Sequence, residues 1–281
     1  VNESFANYGE QLWRTYKYGK AHADQLAYED LQSYLMLAPY VDDPLYRVYY
    51  KSREDVFDHI TYKKGGAILR HLHLLIGDAA FKQAIKKYLT TNALKPAEFQ
   101  HWRLAVEEVT GRDMTWFFNQ WYFGSGHPYV RIQQKYMADQ QKVSVTIQQT
   151  QTQNKLFTLP VGIDVYVNSN RNHYEVWSKN RTDSFYFPSA SSPKNINVDN
   201  DKVLLWAKEE DKPLQQYIYQ FANASNFMDR YEALNEVVQN MSKPAAEAVV
   251  KAALKDTFYI LRQTAIRAYN PAAISPEVEK I

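Results

Sequence analysis

The 281 residues carry 33 Lys and Arg against 31 Asp and Glu, a net charge of +2, which argues against a non-specific nucleic-acid binder with its basic surface. There is no cysteine, so disulfides, thiol catalysis, Cys-ligated zinc and iron–sulfur clusters are excluded. The hydrophobic share is 45%, yet no apolar run approaches the roughly 18 residues of a membrane span, and the 22 tyrosines point to a folded chain.

The chain opens Val-Asn-Glu-Ser-Phe-Ala-Asn-Tyr-Gly-Glu-Gln-Leu-Trp, without Met and without the basic-then-apolar pattern of a signal peptide. It reads as the middle of a helix, and we expect a fragment or mature product of a longer protein. Residues 1–127 are helical by pattern. Phe5, Tyr8, Leu12 and Tyr16 recur at helical spacing, with Glu3, Asn7, Glu10 and Arg14 opposite. From Tyr62 to Ile76, Ala67, Ile68, Leu69, Leu72 and Leu75 share a broad face. Gly77-Asp78 predicts a left-handed stop and a new N-cap, with the next helix at Ala79–Thr90. A further helix is expected to open at Pro96-Ala-Glu and end at Gly111. Asp113 suits the cap of a short helix through Phe123, and Gly124-Ser-Gly126 and Pro128 close the region. Asp42-Asp43 reads as a solvated turn.

Residues 128–207 change period. Val143, Val145 and Ile147 alternate with polar residues, and similar short runs occur at Tyr129–Ile132, Phe157–Val167, His173–Trp177, Phe185–Phe187, Asn195–Val198 and Val203–Trp206. Turn signals between them suggest a small antiparallel β-sandwich. Glu209-Glu210-Asp211 reads as a solvated turn. Residues 208–281 return to helix at Leu214–Ala224, Asp229–Asn240, Pro244–Lys255 and Ile260–Tyr269, in the manner of antiparallel pairs that could open a helical solenoid.

The residues with the most chemical content are Asn2-Glu3-Ser4-Phe5-Ala6 and, about 60 residues on, Phe57-Asp58 with Tyr62-Lys-Lys-Gly65. Trp116-Phe-Phe-Asn-Gln-Trp121 and Gly126-His-Pro128 follow. Together they resemble the aminopeptidase N family of zinc metallopeptidases, the gluzincins to which leukotriene hydrolase is related. The likeness is good over about 210 residues and loose over the last 70 or so. In that family a helix bears His-Glu-x-x-His, and a third ligand, a Glu in a Trp-x-Asn-Glu-[Gly/Ser]-Phe-Ala setting, follows about 18 residues later.

The resemblance makes Glu3 the third zinc ligand and Tyr62 the tyrosine that hydrogen-bonds the tetrahedral intermediate. Glu54, eight residues before Tyr62, stands where a relative could place an acidic group near the substrate; read alone it is a loop carboxylate paired with Arg53 or Lys51. The family chemistry is consistent with these residue types. A catalytic zinc takes three protein ligands and leaves a fourth position open, lowers the pKa of bound water and polarises the scissile carbonyl. The motif Glu accepts the water proton. A phenol donating to the developing oxyanion is worth about 3 kcal/mol by analogy with other single donors.

The sequence departs from the family in two respects. None of its seven histidines begins His-Glu-x-x-His, and the amine-binding Gly-x-Met-Glu-Asn segment is missing. His71 and His73 are two apart on a predicted helix and cannot chelate one ion as an i,i+4 pair does. We therefore expect the polypeptide by itself neither to hold zinc tightly nor to hydrolyse peptides. Gly65-Gly66 lacks the Lys and Ser/Thr context of a phosphate loop, so close helix packing explains the pair better. Trp116, Phe117, Trp121 and Tyr122 read as packing residues.

The expected architecture is multidomain α+β. The helical C-terminal half of a thermolysin-like catalytic domain (1–127) precedes an antiparallel β-sandwich (128–207) and a HEAT-like α-helical domain (208–281). The implied parent is a zinc aminopeptidase acting on peptides, its helical end capping the chamber and favouring short ones. The alternative is a non-catalytic scaffold or pseudo-enzyme serving as an interaction module. Nothing specifically favours the epoxide-hydrolase branch, and the sequence sets neither compartment nor oligomeric state.

Overall fold

The computed structural model describes residues 2–41, 43–152, 154–168 and 170–269; Asp42 of the expected acidic turn lies outside them. The architecture is mixed α+β, with ten α-helices and two small sheets among the described residues. No described helix is long and apolar enough to cross a membrane. The chain divides into two compact units. One takes the chain up to Val130 with Gln149–Pro160 and Val203–Ala207, and the other takes Arg131–Gln148, Val161–Lys202 and the chain from Lys208 on.

The first unit begins with helices α1 (Asn2–Tyr18) and α2 (Lys20–Leu37). The buried side of α1 is only in part the aromatic stripe expected from spacing: Phe5 and Tyr8 pack inward. Ser4, Asn7, Tyr8 and Gln11 are buried, whereas Tyr16 is 82% exposed. Polar residues line this face because their partners are polar. Asn7 Nδ2 donates to Asp30 Oδ2 at 2.8 Å, and Lys63 Nζ donates to Asp30 Oδ1 at 2.5 Å. Helix α2 likewise buries Asp24, which receives Arg70 at 2.7 Å and Lys20 at 2.6 Å. Buried charges persist only when paired in this way.

A π-helical turn (Ile60–Lys64) runs into α3 (Gly65–Ile76), followed by α4 (Asp78–Thr91), α5 (Phe99–Thr110) and α6 (Thr115–Phe118), the last continued by a second π-helical turn at Asn119–Phe123. Gly77 has the expected positive φ, 85°, but with ψ 156° it is extended rather than left-handed helical. Asp78 is the first residue of α4, not its cap; its carboxylate receives Lys82 at 2.8 Å and lies 3.2 Å from His73 Nε2. Helix α5 starts three residues beyond Pro96, with Glu98 as N-cap, and ends as expected on Gly111 in the left-handed region. Asp113 Oδ1 accepts from the Thr115 amide at 2.8 Å. The core is aromatic: Trp102 is fully buried, with Phe5, Phe81 and Tyr88 edge-on or tilted around it at ring distances of 5.2–5.8 Å. Phe117, Trp121 and Tyr122 are also fully buried.

Apart from a few terminal strand residues, both sheets belong to the second unit. The strands are β1 (Tyr129–Met137), β2 (Lys142–Gln149), β3 (Leu159–Val167), β4 (Asn170–Ser178), β5 (Thr182–Pro188), β6 (Asn195–Val198) and β7 (Ala207–Asp211). One sheet has the order β5-β2-β1-β7 and the other β4-β3-β6. Antiparallel pairing sets Val143 opposite Phe187 and Val145 opposite Phe185, as alternation predicts. In the second sheet Ile163 faces Val198.

Two expectations fail here. Val203–Trp206 is not a strand, although Leu204, Leu205 and Trp206 are buried, and Glu209–Asp211 is not a turn but part of β7. The acidic run is tolerated in a strand because the Glu210 side chain meets Lys208 at 3.1 Å and Gln134 at 2.6 Å.

Helices α7 (Leu214–Asn223), α8 (Phe227–Val238), α9 (Pro244–Ala253) and α10 (Tyr259–Tyr269) complete the unit. Between β6, β7 and the first two of these helices lies a buried ionic cluster. Lys202 meets Asp229 at 2.9 Å, and Lys208 meets Glu232 at 2.5 Å. Lys212 donates to the Ile196 carbonyl at 2.9 Å and to Gln220 Oε1 at 2.5 Å. Burial lowers the Lys212 pKa to about 8, whereas burial of Lys208 is outweighed by Glu210 and Glu232, which hold its ammonium charged.

Candidate active site

Two glycines decide how closely α1 and α3 approach. A Cβ on Gly65 would stand 2.0 Å from Ser4 Oγ and 2.7 Å from Ser4 Cβ, and one on Gly66 would stand 1.9 Å from Asn7 Oδ1. Without side chains at 65 and 66, the Ser4 hydroxyl reaches the Thr61 carbonyl at 2.8 Å. Ser4 and Thr61 are the chain neighbours of Glu3 and Tyr62. The helix contact therefore brings the carboxylate and the phenol together.

Partial desolvation, then the hydrogen bond to Glu3 and the charge of its carboxylate, push the Tyr62 phenol up to about 12. At neutral pH the phenol is protonated and is a donor. Phe57 packs edge-on against the Tyr62 ring, with centroids 5.0 Å apart.

The turn that carries Tyr62 is tied down by charge. Arg47 grips Asp58 through both arms of its guanidinium, at 2.6 and 3.1 Å. Asp58 Oδ1 accepts the Thr61 amide at 3.0 Å and the Thr61 hydroxyl at 2.7 Å. Burial would raise the Asp58 pKa, but Arg47 and Thr61 outweigh it and bring it down to about 2. Asp58-x-x-Thr61 has the form of a capping pair, which is a sequence signal for this turn. Arg47 is eleven residues away and has no such signal.

Glu3, Arg47, Glu54, Phe57, Tyr88 and Phe99 are among the walls of an open cavity of about 1120 Å³ in the first unit. Glu54 is on its rim, exposed and paired with Arg53 at 2.9 Å; the hydrogen bond from Arg53 lowers its pKa. The cavity thus contains the Glu3 carboxylate and Glu54 together, with Tyr62 reaching Glu3.

The residues present do not by themselves fit a three-ligand metal. Among the described residues no group of three His, Cys, Asp or Glu is placed to hold an ion. His71 is enclosed by Phe117 and Trp121 with both ring nitrogens unpartnered, and burial lowers its pKa to about 4. His73 is engaged by the Tyr8 hydroxyl at 2.6 Å and by Asp78. Neither histidine lines the cavity that Glu3 lines.

Residues 1–121 match the Peptidase family M1 domain. That segment is similar to the M1 peptidase domain, and the rest of the chain lies outside the match. A leucyl aminopeptidase of Saccharolobus solfataricus is 24% identical over 215 residues, which cover 66% of this chain and 27% of the relative. The transcription initiation factor TFIID subunit 2 of Saccharomyces cerevisiae is 31% identical over 105 residues, 37% of this chain and 7% of that one. The fold is that of a solved Legionella pneumophila aminopeptidase A, crystallised in complex with aspartic acid: the TM-score is 0.71 at 17% identity over 91% of this chain and 30% of the other. The chain spans about a quarter or less of the length of these curated relatives. The family match covers the segment that holds Glu3, Glu54 and Tyr62.

Proposed function

We propose that this chain is part of a zinc-dependent aminopeptidase that removes N-terminal residues from peptides, with Glu3 as one metal ligand and Tyr62 as the donor to the oxyanion of the tetrahedral intermediate. What carries the assignment is the Glu3 carboxylate facing the Tyr62 hydroxyl beside an open cavity, in a segment matched by the M1 domain. In this view Glu54 contacts substrate from the rim. The stretch 1–127 is then the helical part of the catalytic domain. The two sheets at 128–207 form a β-sandwich, and the helices at 208–281 are the opening of a HEAT-like array that limits substrate size.

With one ligand of three and no general base beside it, the 281-residue polypeptide neither binds zinc tightly nor turns over substrate. Zinc titration followed by calorimetry, together with release of an aminoacyl anilide, checks this. The expected result is no saturable binding at micromolar zinc and no hydrolysis; micromolar affinity with turnover overturns it. Joined to the preceding catalytic segment of the Saccharolobus relative, the chain is expected to gain zinc and activity. Tyr62→Phe should then lower kcat by about 10²–10³, the size of losing one oxyanion donor.

One observation favours a second function. A relative matched over 37% of the chain is a transcription factor subunit by name, so a non-catalytic interaction module is the alternative. A joined protein that folds, binds zinc and remains inert would support it.

A further inference from the structure

Taking Tyr62 as the donor of the site, we propose that Arg47 is its positioning residue: the bidentate grip of Arg47 on Asp58 fixes the helical turn that holds the phenol opposite Glu3. Arg47 has a rigid base. The amide of its neighbour Tyr46 donates to the Tyr122 carbonyl at 2.8 Å, and the Tyr46 ring packs on Phe99 at 4.5 Å. From there the guanidinium crosses to Asp58, and one arm also reaches Thr61 Oγ1 at 3.3 Å. The Arg47 side chain is only 10% exposed, so this pair is shielded in a way surface pairs are not.

Asp58 holds the turn from two directions. Its carboxylate caps the Thr61 amide, and its carbonyl accepts the Tyr62 amide at 3.1 Å. Thr61 then receives the Ser4 hydroxyl from α1 on its carbonyl. The path Tyr46–Arg47–Asp58–Thr61 therefore runs from the aromatic core to the residue next to Tyr62. Its far end meets the residue next to Glu3. Two N–H arms against two carboxylate oxygens fix direction as well as distance, and a lysine ammonium cannot reproduce that geometry.

The test places fluorotyrosine at position 62 and reads its fluorine NMR line. With Arg47 intact, Glu3→Gln should shift the line, because the phenol's partner changes from carboxylate to amide. In Arg47→Met, and equally in Arg47→Lys, the shift caused by Glu3→Gln should shrink at least about twofold, the sign of two sites that have become uncoupled. A fluorotyrosine at the buried Tyr8 should keep its line, which a general loosening of the unit would move. If Arg47→Met does not fold, Arg47→Lys and Asp58→Asn decide the matter. An unchanged Glu3→Gln shift in the folded variants overturns the role of Arg47 and leaves the Glu3–Tyr62 pairing intact. No shift with Arg47 present overturns that pairing, and the role of Arg47 with it.

Discussion

Gly65→Ala is expected to destabilise the first unit by about 2 kcal/mol, even though alanine favours a helix over glycine by about 1 kcal/mol. The added methyl meets Ser4 Cβ at 2.7 Å as well as Ser4 Oγ, and a Cβ cannot swing aside as the tip of a long side chain can. Relief requires α1 to move off α3, which breaks the Ser4–Thr61 hydrogen bond and separates Glu3 from Tyr62. Urea melts of Gly65→Ala, Ser4→Gly and the double variant would check this. The double variant should recover about half of the loss and retain a deficit of about 1 kcal/mol for the missing hydrogen bond. A Gly65→Ala protein as stable as the parent would show that the helix contact has slack.

Acid is expected to weaken the same unit through His71. Its ordinary pKa of 6.5 is lowered to about 4 by complete burial. Below pH 6.5 the unfolded chain takes up a proton that the folded chain refuses. This group's contribution is therefore full above 6.5 and falls until the folded form also protonates near 4. At pH 5 the loss is about 2 kcal/mol. Replacing His71 by leucine removes the titration, so the stability difference between pH 7 and pH 5, read from urea midpoints, should be about 2 kcal/mol smaller in the variant. Equal acid sensitivity in the two proteins would mean that His71 is protonated in place or contacts water.

Sequence pattern located elements well where the buried face is apolar. The alternation of Val143, Val145 and Ile147 places β2, the bounds of β6 coincide with those observed, and α7 to α10 lie within a few residues of expectation. Pattern was misleading where the buried face is polar. Helix α2 shows no clear stripe because Asp24 and Asp30 point inward, and only Arg70, Lys20, Asn7 and Lys63, on other turns and elements, make that possible. On α1 the aromatic spacing outranked Ser4, Asn7 and Gln11, yet these are buried and Tyr16 is in solvent. Leu204 to Trp206 are apolar and buried without pairing in a sheet, which composition cannot distinguish from a strand.

The site shows the same division. Glu3, Glu54 and Tyr62 attract notice only through their resemblance to a known family, since one carboxylate among 31 acidic residues carries no local signal. Ser4, Thr61 and Arg47 act through contacts that link distant stretches of chain, and no spacing rule joins position 47 to 58 or 4 to 61.

Two apolar helix faces can slide or roll over one another by a fraction of a turn and lose little, because dispersion and burial have no direction. The crossing of α1 with its neighbours lacks that freedom. The Ser4 hydroxyl of α1 donates to the Thr61 carbonyl and the Asn7 amide to Asp30, and a roll of one residue would break both bonds and leave buried polar groups unsatisfied. The contact admits a single rotational setting, and the first turn of the chain is held to an alignment that oily packing could not enforce.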